Sequence, residues 1–311
     1  MTCLVFTSFE IFNAKVELIF YKLTRLYLFK QIRLCNDIET NPGPILKQEE
    51  TLKLLKKYKN NLKIFHLNTQ SVIRKKTQLK LLFNNIGENT IFGVSETWMN
   101  ETHDPNLWNV LKETHLFFNF NRCNSDKSKG GGVALFVPLS LAPKERTDLN
   151  LFDKERFESI WIECKESFDR SCKKTMLINI SYNPSKQLQS IFLEELTKNI
   201  DNAISQNSSI HLLGDYNIDY LDNIEQNNLD SVIIPYGLNV CSLKETTRIS
   251  KSSYSHIDYI ITESSNILID FVFDSHFKSD HLCSFCIKKT ITKKISPKNV
   301  YNFDKNKLQS K

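Results

Sequence analysis

The sequence predicts an α/β protein: two mixed β-sheets packed face to face and flanked by helices, giving four layers, α/β/β/α. Three observations carry this. Short apolar runs of strand length recur between residues 62 and 287, while only two stretches there show long helical periodicity. The strands do not alternate strictly with helices, which argues against one doubly wound sheet. The composition, 41% hydrophobic and 24% charged over 311 residues, is globular and long enough for one large domain or two small ones. Wholesale disorder, collagen and coiled coil are excluded, and eight Cys are too dilute for a disulfide framework.

Residues 1–44 read as a leader. Its apolar residues (Leu4, Val5, Phe6, Phe9, Ile11, Phe12) are interrupted by Glu10, Lys15, Glu17, Lys22 and Arg25. No run reaches the ~18–20 apolar residues of a membrane span. Met1 to Ser8 lack both a basic start and a small-residue cleavage site, so an amphipathic leader fits better than an export signal. Without export the thiols are expected reduced. Residues 45–60, rich in Lys and Glu, read as a helical linker. Then come a strand at 62–67, an amphipathic helix at 72–86, and strands at 90–94, 116–120, 133–137, 159–163 and 176–180. A helix at 187–204 follows, with Leu188, Ile191, Phe192, Leu196, Ile200 and Ile204 at helical spacing. Strands at 210–213, 256–261, 267–273 and 282–287 complete a domain of residues 61–290. Residues 291–311 form a basic tail.

The net charge of +6 is unevenly spread. The first 60 residues and residues 281–311 are basic, and the stretch between is acidic. A general basic surface is therefore no argument for nucleic-acid binding. An acidic body that handles phosphates needs a divalent metal to bridge like charges.

Polar residues stand at the ends of the apolar strands: Asn68, Glu96, Tyr182, Asp215 with Asn217, Asp258, and Asp280 with His281. Any one alone reads as a turn residue. In this order they resemble the endonuclease/exonuclease/phosphatase superfamily. The matching pieces are Leu67-Asn68, Ser95-Glu96-Thr97-Trp98, Ser181-Tyr182-Asn183-Pro184, Gly214-Asp215-Tyr216-Asn217, Ser255-His256-Ile257-Asp258-Tyr259-Ile260 and Ser279-Asp280-His281, within about residues 61–290. The retrotransposon (LINE-type) endonuclease branch is the nearest. Its signs are Ser-Glu-Thr-Trp, the triplet Gly130-Gly131-Gly132, the Phe157-Glu158-Ser159-Ile160-Trp161 strand and Thr247-Arg248. Two positions depart from the wider family. Thr69-Gln70-Ser71 replaces the early Gly of apurinic enzymes, which argues against abasic repair. Leu282-Cys283 replaces the x-Pro that often follows Ser-Asp-His.

The resemblance implies roles. Glu96 would be the principal Mg²⁺ ligand, with Mn²⁺ as a substitute, and Asn68 an amide ligand or its neighbour. Asp215 would activate water, with Asn217 holding it. His281, oriented by Asp258, would donate to a phosphate oxygen. Tyr182 would hydrogen-bond the phosphate, and Asp280 would support the metal or the leaving group. Arg248 would hold a DNA phosphate or pair with a surface acid. Arg74, Lys75 and Lys76 would contact phosphate or form a solvated helix start. The glycine triplet reads as a hairpin turn, Cys283 and Cys286 as thiols on opposite strand faces, and Trp98 and Trp108 as core rather than a base-stacking edge. No His or Cys spacing predicts zinc.

Asp37-Ile38-Glu39-Thr40-Asn41-Pro42-Gly43-Pro44 resembles the ribosome-skipping peptides of the 2A type, in which the bond corresponding to Gly43–Pro44 is never made. By itself Asn-Pro-Gly-Pro is a turn. The expectation is a monomeric, metal-dependent endonuclease that nicks DNA to leave 3′-hydroxyl ends, acts in the nucleus and accompanies a reverse transcriptase domain. The alternatives are a phosphoesterase of the same fold with another substrate, and a decayed copy that binds nucleic acid without cutting it.

Overall fold

A computed structural model describes residues 48–289, apart from 101–112, 122–129, 168–172, 207, 242–244, 251–252 and 274–278. Gly43, Pro44, Trp108 and the basic tail lie outside the described residues. In chain order the first elements are α1 (Gln48–Lys57), β1 (Lys63–Asn68), α2 (Val72–Ile86), β2 (Thr90–Ser95), β3 (His115–Phe120) and β4 (Val133–Pro138). Next are β5 (Lys144–Glu145), β6 (Glu158–Lys165), β7 (Thr175–Tyr182), α3 (Gln189–Ile204), β8 (Ser209–Asp215) and α4 (Asn223–Ile233). The last are β9 (Asn239–Val240), β10 (Arg248–Ile249), β11 (Tyr254–Ser255), β12 (Asp258–Thr262), β13 (Ile267–Phe273) and β14 (Cys283–Lys288).

Two parallel pairs organise the sheets. β1 and β2 run parallel across the crossover helix α2, and β7 and β8 run parallel across α3. Antiparallel strands extend each pair, giving the orders β13-β14-β1-β2-β4-β3 and β5-β6-β7-β8-β12-β9. β10 and β11 form a separate small ribbon.

The core lies in three slabs, as four layers require. Between the sheets pack Ile64, Leu135, Ile162, Ile178, Ile180, Leu213 and Ile260. Outside the first sheet, Leu79 and Phe83 of α2 cover Phe65, Phe92 and Phe136. Outside the second, Phe192, Leu196 and Ile200 of α3 and Leu229 and Ile233 of α4 cover Trp161, Tyr216 and Tyr259. Each such buried side chain contributes roughly 1.5–3 kcal/mol. Strands β1, β2, β4 and β14 are buried throughout, which is why they read as near-continuous apolar runs.

Some elements were not foreseen. In α4 Ile224 is 73% exposed while Leu229 and Ile233 are buried, so its apolar period is weak. The helix is fixed instead by Asp222, whose carboxylate accepts the N–H groups of Ile224 and Glu225 at 2.9 and 3.0 Å. Strands β5, β9, β10 and β11 have two residues each, too few to show a period of two. α1 contributes Leu55 to the helical slab on the first sheet. Cys283 faces that slab and Cys286 the space between the sheets, so the two thiols do lie on opposite faces. No helix among the described residues is long and apolar enough to cross a membrane.

Candidate active site

Strand alternation places the polar strand ends on one floor. On β1, Phe65 and Leu67 face α2, so Ile64, His66 and Asn68 face the other sheet. In the second sheet the inward rows are Ile178-Ile180-Tyr182 on β7, Leu213-Asp215 on β8 and Asp258-Ile260 on β12. Each row ends on a polar group where the inter-sheet core meets solvent. Register completes the gathering. Parallel pairing sets Asn68 beside Ser95 and Tyr182 beside Asp215, and antiparallel pairing sets Asp258 opposite Asp215.

Asn68 is the link between the two sheets. Its Nδ2 donates to Glu96 Oε1 at 2.9 Å and to Asp215 Oδ2 at 2.8 Å. Its oxygen accepts the Gln70 N–H at 3.1 Å, so the amide is fixed as a donor to both carboxylates. Tyr182 Oη donates to Glu96 Oε1 at 3.4 Å. His281 Nδ1 lies 2.7 Å from Asp258 Oδ2. Asp258 is steadied by Thr247 Oγ1, which accepts the N–H groups of Ile257 and Asp258 at 3.0 Å each. Asn217 serves Asp215 through its backbone: its N–H donates to Oδ1 at 3.1 Å, while its amide donates to the Asn183 carbonyl at 2.7 Å. Asp280 accepts from Gln70 Nε2 at 2.6 Å and Arg248 Nε at 3.0 Å. Of the sequence-selected bases beside the site, Lys75 Nζ donates to the Thr69 carbonyl at 2.7 Å and Arg74 points to solvent.

Backbone strain is concentrated in this place. Among the described residues, the non-glycine positions with positive φ are Gln70, Ser71, Glu96, Trp98, Ala142 and Asn217, and all but Ala142 belong to the loops around the site. Such conformations cost on the order of 1–3 kcal/mol each and persist where the surroundings over-determine them.

Burial and neighbouring charge shift Asp215 and His281 in the same direction. Asp215 is pushed from 3.8 up to about 8, by burial first, then by Asp258 and Glu96, against His281 and the Asn68 hydrogen bond. Burial opposes the charge on His281, but Asp258, Asp215 and Asp280 outweigh it and raise the ring from 6.5 to about 9. A charged His281 has no lone pair for a metal. Ligand atoms of Glu96, Asp215 and His281 nevertheless lie within 4.8 Å of one another. Two full charges at that distance interact by about 3–4 kcal/mol at an effective dielectric of about 20. The half-buried Glu96 and the buried Asp215 thus form a crowded, oxygen-only pair, a donor set that fits a hard divalent cation such as Mg²⁺ or Mn²⁺.

These shifts have a sign. A carboxyl whose folded pKa is raised holds its proton more tightly when folded. Its cost is absent below about pH 4 and grows as pH rises to 8. His281 contributes stability below 6.5 that is lost as pH rises through about 9. Both slopes point the same way. The urea midpoint of the metal-free protein is expected to fall between pH 6 and 9, and a midpoint that climbs there contradicts the assignment.

Solved structures share this architecture. The chain aligns over 74% of its length with the whole of the endonuclease domain of TRAS1, a telomere-specific non-LTR retrotransposon, at 13% identity and a TM-score of 0.53. It aligns over 74% with 94% of the human Nocturnin catalytic domain at 14% identity and a TM-score of 0.52. An AP endonuclease from Archaeoglobus fulgidus is matched over its full length by 74% of this chain, at 14% identity and a TM-score of 0.52. The fold is the endonuclease/exonuclease/phosphatase fold. No family model and no curated protein sequence matches the chain.

Several residues of this endonuclease/exonuclease/phosphatase-fold site escaped sequence reasoning. His66 is fully buried behind Asp258, its Nδ1 3.8 Å from Asp258 Oδ1 and its Nε2 3.2 Å from Ser95 Oγ. Burial, against the pull of Asp258, lowers it to about 4 and keeps it neutral. Its position, two residues before Asn68 on the inward face, was the available signal. Gln70 acts through a side chain whose partner, Asp280, is 210 residues away. Trp98, expected in the core, is instead half-buried at the site, where its indole N–H donates to Glu96 Oε2 at 3.1 Å.

Proposed function

We propose that this chain is a divalent-metal-dependent phosphodiester hydrolase that nicks DNA and leaves 3′-hydroxyl and 5′-phosphate ends. The observation that carries the reading is the juxtaposition of the Glu96–Asn68–Asp215 bridge with a charged His281 held by Asp258. A Mg²⁺ ion held at Glu96 would supply positive charge to the phosphate and the departing 3′ oxygen. Every other part of the reaction falls to this chain's own groups. Asp215 orients the attacking water, and its raised pKa makes it a competent acceptor for the proton that water gives up. His281 presents an N–H to a non-bridging oxygen, where charge builds in the transition state. Asp258 fixes the ring and favours its charged form. The Tyr182 hydroxyl donates to Glu96 or to phosphate, and Asn217 shapes Asp215 through its backbone. Arg248, paired with the partly exposed Asp280, would receive an adjacent DNA phosphate.

A LINE-type origin rests on Ser-Glu-Thr-Trp and on the resemblance of the Asp37-to-Pro44 stretch to a skipping peptide. In that reading a reverse transcriptase domain uses the 3′ end, the protein works in the nucleus as a monomer, and Mn²⁺ substitutes for Mg²⁺.

The test is supercoiled plasmid incubated with the full chain and Mg²⁺ or a chelator. Open circles are expected only with metal, and DNA ligase is expected to reseal them, because it joins only 3′-hydroxyl to 5′-phosphate. A folded chain that leaves the plasmid supercoiled in Mg²⁺ sinks the DNA reading. Nicking undiminished by chelator sinks the metal.

A further inference from the structure

Glu96 holds three neutral donors. Asn68 and Tyr182 share Oε1, and the Trp98 indole N–H occupies Oε2 at 3.1 Å. The first two come from sheet strands. Trp98 lies two residues beyond Glu96, on a backbone where both have positive φ, 50° and 57°. That conformation is imposed from outside. The Thr97 N–H donates to the Gly132 carbonyl at 3.1 Å, and the Trp98 N–H to the Gly131 carbonyl at 2.9 Å. Gly131 and Gly132 themselves have φ of 75° and 85°, where a side chain would be strained. The end of the β3–β4 connection thus grips the end of β2 and turns the indole back onto Glu96.

We infer that Trp98 is a positioning residue that sets the direction of the Glu96 carboxylate for the divalent cation, and that the glycine triplet is its clamp. The inference rests on the proposed metal-holding role of Glu96. With Oε2 held by the indole, Oε1 held by the amide and hydroxyl, and the side chain leaving a strained backbone, the carboxylate has one direction before any cation arrives. Preorganisation of this kind acts on cation affinity rather than on the turnover of the loaded protein.

The test is Trp98→Phe in the full chain. The substitution keeps an aromatic ring and deletes the N–H. The Mg²⁺ concentration for half-maximal nicking is expected to rise about tenfold while the rate at saturating Mg²⁺ stays within about twofold, the pattern of one lost hydrogen bond to a charged acceptor. Calorimetric titration of the DNA-free protein with Mn²⁺ should weaken by the same factor. The protein has three Trp, and Trp161 is buried with its N–H on Asn199. A Mn²⁺-dependent quench of indole emission should therefore shrink in Trp98→Phe. Gly131→Ala, which strains the clamp and leaves the indole in place, should show the same shift in metal requirement. Parent-like metal response in a folded Trp98→Phe overturns the inference and leaves the metal role of Glu96 standing. A parent that binds no Mn²⁺ overturns both.

Discussion

Asp215→Asn and His281→Ala are each expected to lower plasmid nicking by about 10²–10⁴-fold while leaving a folded protein. The double variant should be little worse than either single one, because the two groups serve the same event, one taking the proton of water and the other meeting the charge that forms on phosphate. Stability should respond in the opposite sense for Asp215. Its carboxyl is buried beside Asp258 and Glu96, and holding it ionised above pH 8 is costly. An uncharged amide of the same shape can accept from Asn68 without that cost. The metal-free Asp215→Asn protein should therefore have a higher urea midpoint than the parent at pH 9, and a flatter dependence on pH. His281→Ala should lose stability at pH 6, because Asp258 is then left buried without its charged partner. Nicking rates and urea midpoints measured on the same preparations check all of this. Parent-like nicking by Asp215→Asn would remove Asp215 as the base, and a lower midpoint at pH 9 would contradict the raised pKa.

Gly214→Ala is the substitution expected to damage the fold most for its size. Gly214 precedes Asp215 on β8 and has a φ of 154°. A Cβ there would overlap the Ser181 carbonyl oxygen on the paired strand β7 and stand 2.6 Å from Tyr216 Cε1. Neither neighbour has room. Ser181 belongs to a ladder in register with Gly214, and Tyr216 is fully buried in the core on the outer face of that sheet. Backbone strain of 1–3 kcal/mol and a comparable overpacking cost give a loss of roughly 3–5 kcal/mol. That is a large share of the stability of an ordinary domain. The expected result is a soluble fraction that collapses, or a urea midpoint far below the parent, with residual nicking per folded molecule also reduced because Asp215 is adjacent. A midpoint equal to the parent's would show that β7 and β8 are not held at this spacing.

Much of the fold was legible because burial on both faces writes apolar runs into the sequence. The runs Ile64-Phe65, Val133 to Val137 and Ile210 to Leu213 are strands for that reason. The helix over Gln189–Ile204 was legible through its one buried stripe. α4 was not, because Asp222 and packing on α3 hold a mostly polar segment in helical form. The glycine triplet read only as a hairpin turn, and its action as a clamp was illegible, since the carbonyl partners of Gly132 and Gly131 are Thr97 and Trp98 on another strand's exit.

The sequence by itself determined the longer strands, the polar residue ending each inward row, and a charge distribution that asks for a divalent cation. Only the tertiary structure decided which of those ends meet. Asn68 and Asp215 are 147 residues apart and touch because two parallel pairs, one in each sheet, end at the same side of the sandwich. Strand order and inter-sheet contact are long-range properties, selected by the whole core rather than by local propensity. For the same reason the partners of single atoms, such as the indole on Glu96 or His66 behind Asp258, were invisible until the sheets were packed. Period and composition mark a residue's face, and only packing supplies what that face meets.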